Sequence, residues 1–310
     1  MTISPIFVLG EALMDCMAQP NGSLRPCIGG SPFNMARAAA LRGATVSYLN
    51  PLSSDHFGLQ MRKQLEHDGV QMLLPPTALP TSLAVVQLHA GQPSYSFYRE
   101  GIADRDYTTA QVLATLAAAP APGVLHTGSL FLVPPEHHKV IDIIQGAKAM
   151  GWTISLDVNL RPQLAANLSQ YVAAIKEATA WADWVKASDE DLELLGFEAP
   201  SPAKASQISS YFKKQGSSRI ALTFGGEGAW LEVDGVQIAH DVPQITVMDT
   251  VGAGDTFWGN CLGDWVLQPQ RAADRVASTL REAMLAAAIN CTRAGCQPPR
   301  YAEVQAFNAS

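Results

Sequence analysis

Hydrophobic and polar positions follow two different periods along the chain. Short apolar runs are separated by longer stretches in which apolar residues lie three or four positions apart. The runs predict strands at residues 6–10, 45–49, 124–128, 153–159, 184–188 and 220–224. Strands that alternate with helices in this way indicate β-α-β units. The pattern therefore predicts an α/β fold with a doubly wound, mostly parallel sheet.

Helix ends and turns add detail to this pattern. Residues 31–43 begin with Ser31 and Pro32 and close with Gly43, which is typical of a helix with its two ends. Residues 81–100 alternate on either side of the sequence AGQP and predict an antiparallel hairpin. That hairpin could project as a lid or a subunit contact, or run along the sheet as an ordinary edge ribbon. A second hairpin is predicted at 228–240, turning at Asp-Gly.

Composition narrows the class of protein. With 310 residues, 47% of them hydrophobic, we expect one α/β domain over residues 1–310. The net charge of −7 argues against a nucleic-acid partner. The first cation is Arg25, and no apolar run is long enough for a membrane span, so we expect neither a signal peptide nor a membrane protein. Five cysteines without C-x-x-C favour reduced thiols and a cytoplasmic location.

The segment DTVGAGDTF, residues 249–257, carries the strongest chemical signal. Gly252, Ala253 and Gly254 form a predicted loop before a helix over 255–267, where backbone N–H groups and the helix dipole can hold an anion. Asp255 would repel a bound phosphate unless it takes a proton. The pair therefore predicts phosphoryl transfer to a hydroxyl group, with Asp255 as the base. The alternative is a helix cap after a tight turn.

Signatures of several other enzyme classes are missing from the sequence. There is no G-x-x-x-x-G-K-[ST] loop, no G-x-G-x-x-G after a strand, no H-E-x-x-H and no G-x-S-x-G. A P-loop nucleotidase, a dinucleotide enzyme and a zinc protease are therefore not indicated. A hydrolase that directs Asp255 at water stays open as an alternative.

DTVGAGDTF closely resembles the C-terminal signature of the ribokinase-like PfkB carbohydrate kinase family. GGSPFNMARAAALRG at 29–43 resembles the N-terminal signature of the same family. Four further motifs follow the family's order: G-E-x-L-x-D at 10–15, D-x-N-x-R at 157–161, T-x-G-x-x-G at 223–228 and the region 290–295. The resemblance covers nearly the whole chain. It implies a ribokinase-like fold with a small β-hairpin lid from about 12–27 and 81–106, and ATP as the phosphate donor.

The same resemblance implies a role for each matching position. Asp255 is the base, Gly252, Ala253 and Gly254 form the anion hole, and Arg161 steadies the transferring phosphate. The implied sugar-binding residues are Asp15, Gly29, Gly30, Asn34 and, from the lid, Arg99. The implied nucleotide-binding residues are Asn159, Lys186, Thr223, Gly225, Gly228 and Asn290. Helix capping by Asn34, surface ion pairs of Arg99 and Arg161, and a plain helix-end role for Asn290 are the alternatives.

One departure from the family pattern concerns the metal. Many members carry N-x-x-E where this chain has Ser188 and Asp191 in an S-x-x-D arrangement. Asp191 is then expected to reach a metal ion through water. The resemblance implies Mg²⁺ bound with ATP. It also allows a monovalent cation such as K⁺ and a homodimer formed through the lid.

Local features bear on the acceptor sugar. Pro32 and the segment FYREGIADR at 97–105 resemble bacterial fructokinases more than 2-keto-3-deoxygluconate kinases. Fructose is therefore the first expectation. The sugar acid is the alternative, because a guanidinium such as that of Arg99 could pair with its carboxylate. A protein of another class, a sugar or nucleotide sensor without catalysis, would keep the same fold.

Overall fold

The computed structural model describes residues 4–19, 21–89, 92–269 and 272–309. Its strands in chain order are β1 Ile6–Val8, β2 Leu13–Ala18, β3 Leu24–Gly29, β4 Val46–Tyr48, β5 Val70–Met72, β6 Ser82–His89, β7 Gln92–Tyr98, β8 Val124–Gly128, β9 Thr153–Asp157, β10 Trp184–Ser188, β11 Arg219–Thr223, β12 Ala229–Val233 and β13 Val236–His240. Its helices are α1 Ser31–Arg42, α2 His56–Asp68, α3 Thr109–Ala117, α4 His137–Ala149, α5 Leu168–Thr179, α6 Asp189–Leu195, α7 Ala205–Lys214, α8 Ala253–Leu267, α9 Ala273–Cys291 and α10 Tyr301–Ala309.

The main sheet has nine strands within these described ranges, in the order β13-β12-β11-β10-β9-β8-β1-β4-β5. The seven strands from β11 to β5 run parallel, and β12 and β13 form an antiparallel edge. The chain leaves β1 for β4 on one side and later returns to β8 on the other. This reversal is the place where doubly wound sheets open a ligand crevice at the carboxyl ends of their strands. The predicted α/β fold is confirmed.

The core lies on both faces of this sheet. Neighbouring residues of β1 point to opposite sides, so Ile6 and Val8 pack with α1, α8 and α9, whereas Phe7 and Leu9 pack with α4, α5 and α7. Because the central strands are covered on both faces, their residues are mostly apolar. That is why the main strands could be recognised in the sequence as short apolar runs.

A second sheet of four strands in the described residues has the order β3-β2-β6-β7. The hairpin predicted at 81–100 is its β6-β7 half, and the centre of the predicted AGQP turn lies outside the described residues. The other half is the β2-β3 pair, and β2 joins β6 in parallel. The simple hairpin of the prediction is thus part of a larger sheet. This four-stranded sheet covers the crevice from the side of residues 13–29.

Helices α1 and α8 cross at close range because small residues line their contact. A methyl group on Gly259 of α8 would lie 2.6 Å from Cβ of Ala38 and 2.7 Å from the carbonyl oxygen of Met35, both in α1. The absence of a side chain at Gly259 therefore lets the two backbones approach. This crossing matters for function, because the N-terminal ends of both helices open into the crevice.

We expect Gly259→Ala to lower the free energy of unfolding by about 1–3 kcal/mol, since the added methyl group meets backbone atoms that cannot move aside. Alanine would otherwise favour the helix by about 1 kcal/mol. Urea unfolding measures the change. Gly226→Ala is the matched control, because no heavy atom outside its chain neighbours lies within 4 Å of the added carbon. Equal stability of both variants and the parent would contradict this account of the crossing.

Candidate active site

One cavity of about 980 Å³ lies at the carboxyl ends of the parallel strands. The loops after β1, β8, β9, β10 and β11 contribute to its wall, together with the N-terminal ends of α1 and α8 and the inner side of the small sheet. Most residues predicted for the site line it: Asp15, Gly30, Asn34, Asn159, Arg161, Lys186, Thr223, Gly225, Gly228, Gly252, Ala253, Gly254 and Asp255. The fold thus brings together positions up to 240 residues apart in sequence, because Asp15 and Asp255 lie in one wall.

Helix α8 begins two residues earlier than the sequence predicted. Gly252 is its N-cap in a left-handed conformation with φ 73°, and Ala253 is its first residue. Ala253 donates to the carbonyl of Thr250. In the described part of the chain, the N–H groups of Gly254 and Asp255 have no acceptor. Free N–H groups at the positive end of a helix can bind an anion.

Gly252 is required at this turn for two reasons. Its positive φ disfavours other residues, and an added Cβ would lie 2.2 Å from Sγ of Cys296. The neighbouring segment is fixed by Asp249, whose carboxylate accepts from the N–H groups of Val251 and Gly295. The anion-binding loop is therefore held rigidly against the 291–296 segment.

Asp255 is the third residue of α8, and its carboxylate faces α1. One oxygen accepts from Oγ of Ser31 at 2.7 Å and the other from Nδ2 of Asn34 at 3.0 Å. Burial raises the pKa of Asp255, against these two hydrogen bonds and the positive charges of Lys186 and Arg161. Asn34, predicted to bind sugar, thus orients the predicted base and keeps its amide oxygen for another partner.

Asp15, on β2, lines the same cavity. Burial raises its pKa to about 6; Arg161 acts against this shift and the charge of Asp255 adds to it. Gly29 on β3 does not line the cavity, but an added Cβ there would lie 2.2 Å from the Asp15 carboxylate. Gly30, with φ 108°, has the carbonyl of Glu11 in the place of a Cβ. Both glycines leave room for neighbouring groups.

A buried ion pair lies beneath the anion-binding loop. Nζ of Lys186 on β10 donates to both carboxylate oxygens of Asp157 on β9, at 2.9 and 3.0 Å. Their exposed fractions are 4% and 2%. Burial raises the pKa of Asp157 to about 6 in spite of the lysine, whereas the surrounding carboxylates raise the pKa of Lys186. An ionised pair fits both surroundings, with the ammonium facing Gly254.

The loop after β9 brings two further predicted residues to the cavity. Asn159 has an unusual positive φ of 37°, and its amide donates to the Ser129 hydroxyl at 3.4 Å. The Arg161 guanidinium donates to the carbonyl of Leu160 and lies close enough to Asp15 and Asp255 to lower their pKa values. Arg161 is therefore a cation that lines the cavity, and it forms no ion pair with a carboxylate among the described residues.

The contacts predicted for Arg99, Asp191 and Asn290 are not found in this structure. Arg99 does not line the cavity; it is 7% exposed and binds Asp104 and Ser82. Asp191 caps α6, and its carboxylate already accepts from the N–H groups of Leu160 and Ser188. These contacts replace the expected ones because buried polar groups need partners within the protein.

Asn290 is fully buried behind the anion-binding loop. Its amide donates to the carbonyl of Val251 and accepts from the N–H group of Gln297. It therefore fixes two loops and is not part of the cavity wall. The distant partners that decide these contacts are not evident from the local sequence.

Other cavity residues were missed by the sequence analysis. Glu11, Ser31 and Ser129 line the wall near Asp255, and Arg25 reaches it from β3. Glu11 and Ser31 lie inside the two motifs already noted, at 10–15 and 29–43, so attention to every polar residue of those motifs would have found them. Ser129, which follows β8, has no such signal.

Comparisons with known proteins agree with this geometry. A family model described as pfkB family carbohydrate kinase matches residues 5–302. The fructokinase of Rhizobium leguminosarum bv. trifolii is 30% identical over 286 residues, which cover 90% of this chain and 85% of that protein.

Two solved structures share the fold. A double mutant of the fructokinase from Vibrio cholerae O395, with fructose, ADP and potassium ion bound, has a TM-score of 0.84 and 23% identity, covering 99% of this chain and 98% of that one. The aminoimidazole riboside kinase from Salmonella enterica, complexed with aminoimidazole riboside and an ATP analogue, has a TM-score of 0.81 and 20% identity, covering 98% and 99%.

We expect Lys186→Met to lower the free energy of unfolding by about 3–5 kcal/mol, because it leaves Asp157 buried without its counter-ion. The loss should shrink already as the pH falls towards about 6, because without the lysine the pKa of Asp157 lies above its value of about 6 in the parent and the carboxyl becomes neutral sooner. Denaturant unfolding at several pH values measures both effects.

Two further variants control this experiment. The double variant Lys186→Met with Asp157→Asn removes both charges and should recover most of the stability. Lys148→Met breaks a partly exposed pair with Asp183 and should cost no more than about 1 kcal/mol. If the buried and the exposed pair gave the same loss, the pair beneath the loop would not be the constraint described above.

Proposed function

Because the chain belongs to the pfkB family of carbohydrate kinases and is an ATP-dependent sugar kinase, we propose that it transfers the γ-phosphate of ATP to fructose. The observation that carries the proposal is the charge of the acceptor end of the cavity. Glu11, Asp15 and Asp255 are three carboxyl groups in one wall. Carboxylates accept hydrogen bonds from hydroxyl groups and repel anions, so a neutral polyhydroxy acceptor suits this wall.

Asp255 is proposed as the base. In the transfer step its carboxylate takes the proton of an acceptor hydroxyl, and the oxygen so released bonds to the γ-phosphorus. The bond from that phosphorus to the bridging oxygen breaks, and ADP leaves. Ser31 and Asn34 support this role, since their hydrogen bonds hold the carboxylate in one orientation.

The negative charge of the transferring group is matched by three kinds of positive group. Of the three residues predicted for the anion hole, Ala253 donates its N–H group to Thr250, so the proposed anion hole at the start of α8 keeps Gly254 and adds the free N–H group of Asp255. Lys186 lies beneath them, and Arg161 stands on the Asp15 side of the cavity. These groups are fixed by the fold before the substrates arrive, which is the arrangement that favours phosphoryl transfer.

The nucleotide is proposed to bind along the edge of the cavity formed by Thr223, Gly225, Gly228 and Asn159. Val242, Ile245, Val247, Met284 and Ala288 supply apolar surface in the same wall. A base ring can stack on such a surface while the backbone of the glycine loop stays open to phosphate oxygens. Lys186 then lies on the phosphate side.

Mg²⁺ is proposed to enter with ATP, and it neutralises phosphate charge when bound. Asp189 and Glu190 line the cavity and fit this ion, which keeps several waters and needs few protein ligands. Asp191 is not suited, because it does not line the cavity and its carboxylate accepts from the N–H groups of Leu160 and Ser188. For a monovalent cation such as K⁺ we propose the surroundings of Asp249, which lines the cavity three residues before the anion-binding loop.

The sugar-acid alternative is weaker than fructose. It rested on Arg99, whose guanidinium is buried with Asp104 and Ser82 outside the cavity wall. Arg25 and Arg161 are the guanidinium groups in the described lining, and six carboxyl groups line the same cavity. A sensor without catalysis would not need Asp255 oriented by two donors, and a hydrolase would not need a cavity of this size.

The small sheet is proposed to act as a lid and as a subunit contact. Leu24 on β3 and Tyr98 on β7 expose 48% and 61% of their surface on its two edge strands. Pairing of two lids would cover them, and sedimentation at micromolar concentration tests for the dimer. No helix in the described ranges is long and apolar enough to cross a bilayer. The free thiols of all five cysteines support the proposed cytoplasmic location.

ADP formation with Mg-ATP across fructose, 2-keto-3-deoxygluconate, ribose, glucose and adenosine tests the proposed acceptor. We expect turnover with fructose above the others. Asp255→Asn should lower kcat by about 10²–10⁴-fold, because the amide cannot take the proton. Asp142→Asn, on an exposed turn of α4, is the matched control and should behave as the parent.

Each other result of this panel has a defined meaning. Turnover of the sugar acid alone would replace fructose and keep the mechanism. ADP release without any acceptor would favour the hydrolase. Nucleotide binding without turnover would favour the sensor. Full activity of Asp255→Asn would reject Asp255 as the base.

The pH profile of kcat/KM should decline on the acidic side at an unusually high pH. The pKa of Asp255 is raised, that of Asp15 is about 6 and that of Glu11 about 7, each chiefly by burial. A carboxylate base works only when ionised, and protonation of Glu11 or Asp15 changes the charge of the acceptor end, so activity should be full above about 7 and fall as the pH drops through about 6. A profile that stays flat to pH 5 would contradict this.

A further inference from the structure

Glu11 is a buried carboxyl group with only one of its two oxygens in use. It follows β1, is 1% exposed and lines the cavity. Its Oε1 accepts from the N–H group of Ser31, the first residue of α1, at 3.3 Å. Its Oε2 is buried and has no hydrogen-bond partner among the described residues. A buried polar atom without a partner is costly and calls for an explanation.

The described protein groups around Glu11 do not donate a hydrogen bond to Oε2. Arg99 is near enough to lower the pKa of Glu11, but its Nη1 atom donates to Ser82 and Asp104, and its Nε and Nη2 atoms make no hydrogen bond to Oε2 in the described structure. The Ser129 hydroxyl also lowers that pKa, yet no hydrogen bond reaches Oε2 in the described ranges. Burial outweighs these effects and a hydrogen bond from the N–H group of Glu11 itself, and it raises the pKa to about 7.

A second acceptor atom in the same wall is also without a partner. The amide oxygen Oδ1 of Asn34 is buried and unbonded in the described structure, while its Nδ2 holds Asp255. Ser31 connects the two residues, since its N–H group binds Glu11 and its hydroxyl binds Asp255. Two unsatisfied acceptors therefore flank the proposed base. A ligand that brings several O–H donors would satisfy both.

We propose that Glu11 is a sugar-binding residue: its Oε2 accepts a hydrogen bond from a hydroxyl of the acceptor other than the one that is phosphorylated. This inference rests on the proposed sugar kinase function. It adds a specificity determinant, because a sugar that lacks this hydroxyl leaves the oxygen unpaired. The Glu11 side chain also accepts from Ser31, and Ser31 donates to Asp255. Glu11 therefore connects the bound sugar to the residue that orients the base.

A purely structural role for Glu11 makes a different prediction. To hold the N–H group of Ser31, one carbonyl-type oxygen is enough, and glutamine supplies it with nearly the same shape. Glu11→Gln therefore preserves the contact with α1 and replaces Oε2 with an NH₂ group that cannot accept. The variant separates sugar binding from support of the helix.

The test compares steady-state kinetics of the parent and Glu11→Gln at pH 8, where Glu11 is ionised in the parent. We expect KM for fructose to rise about 10- to 100-fold, the range for loss of a hydrogen bond to a charged group. KM for ATP and the melting temperature should stay close to the parent values. Glu177→Gln, on the exposed side of α5, is the matched control and should change none of them.

Fructose analogues that each lack one hydroxyl identify the contact. For one analogue the ratio of kcat/KM between parent and Glu11→Gln should fall towards one. That analogue lacks the hydroxyl that Glu11 binds, so the substitution removes no further contact. An unchanged fructose KM in Glu11→Gln would overturn the proposal. So would an equal loss with every analogue together with a lowered melting temperature, which would make Glu11 structural.

This outcome is distinguishable from failure of the proposed function. If the parent enzyme phosphorylates no sugar of the panel, the proposed function fails whatever the variant does. If the parent phosphorylates fructose and Glu11→Gln does so with the same KM, only the role of Glu11 fails. Calorimetric binding of fructose to both proteins without ATP gives a readout independent of turnover.

Discussion

The contact between the N-terminal ends of α1 and α8 is the interaction on which the site depends. This contact must keep the Asp255 carboxylate ionised while the surroundings exclude water. Ser31 and Asn34 do so by donating to Asp255 from the first turn of α1. Their reach is possible only because Gly259 lets the two helices cross closely. Packing in the body of the helices thus sets the position of the base.

Burial imposes a shared cost on the charged groups of this cavity. The carboxyls of Glu11, Asp15 and Asp157 all have raised pKa values because each is removed from water. The protein offsets the cost differently in each case. Asp157 has Lys186 as a permanent partner, whereas Asp15 is influenced mainly by Arg161. The groups with the least internal compensation are those that face the space for the acceptor. This is expected where a ligand completes the hydrogen bonding.

The sequence predicted the parts of the molecule that depend on local pattern. The main strands could be recognised because both faces of the sheet are covered, and the turn at Gly252 because a left-handed residue before a helix needs glycine. The small sheet was harder to predict, since the parallel pairing of β2 with β6 joins residues about 70 positions apart. Residues such as Arg99 and Asn290 were placed in the wrong surroundings. Their contacts depend on residues that are distant in sequence, and a sequence motif does not identify those residues.

The two ends of the cavity are built by different means, and this has a consequence for specificity. The proposed phosphate end consists largely of backbone N–H groups and glycines, which tolerate few changes because a side chain would fill the space. The acceptor end consists of side chains on the loop after β1, the start of α1 and the small sheet. Side chains there can change without altering the main sheet. A fold of this kind can therefore keep one phosphate donor while its acceptor varies, and residues such as Glu11 are where such variation would be decided.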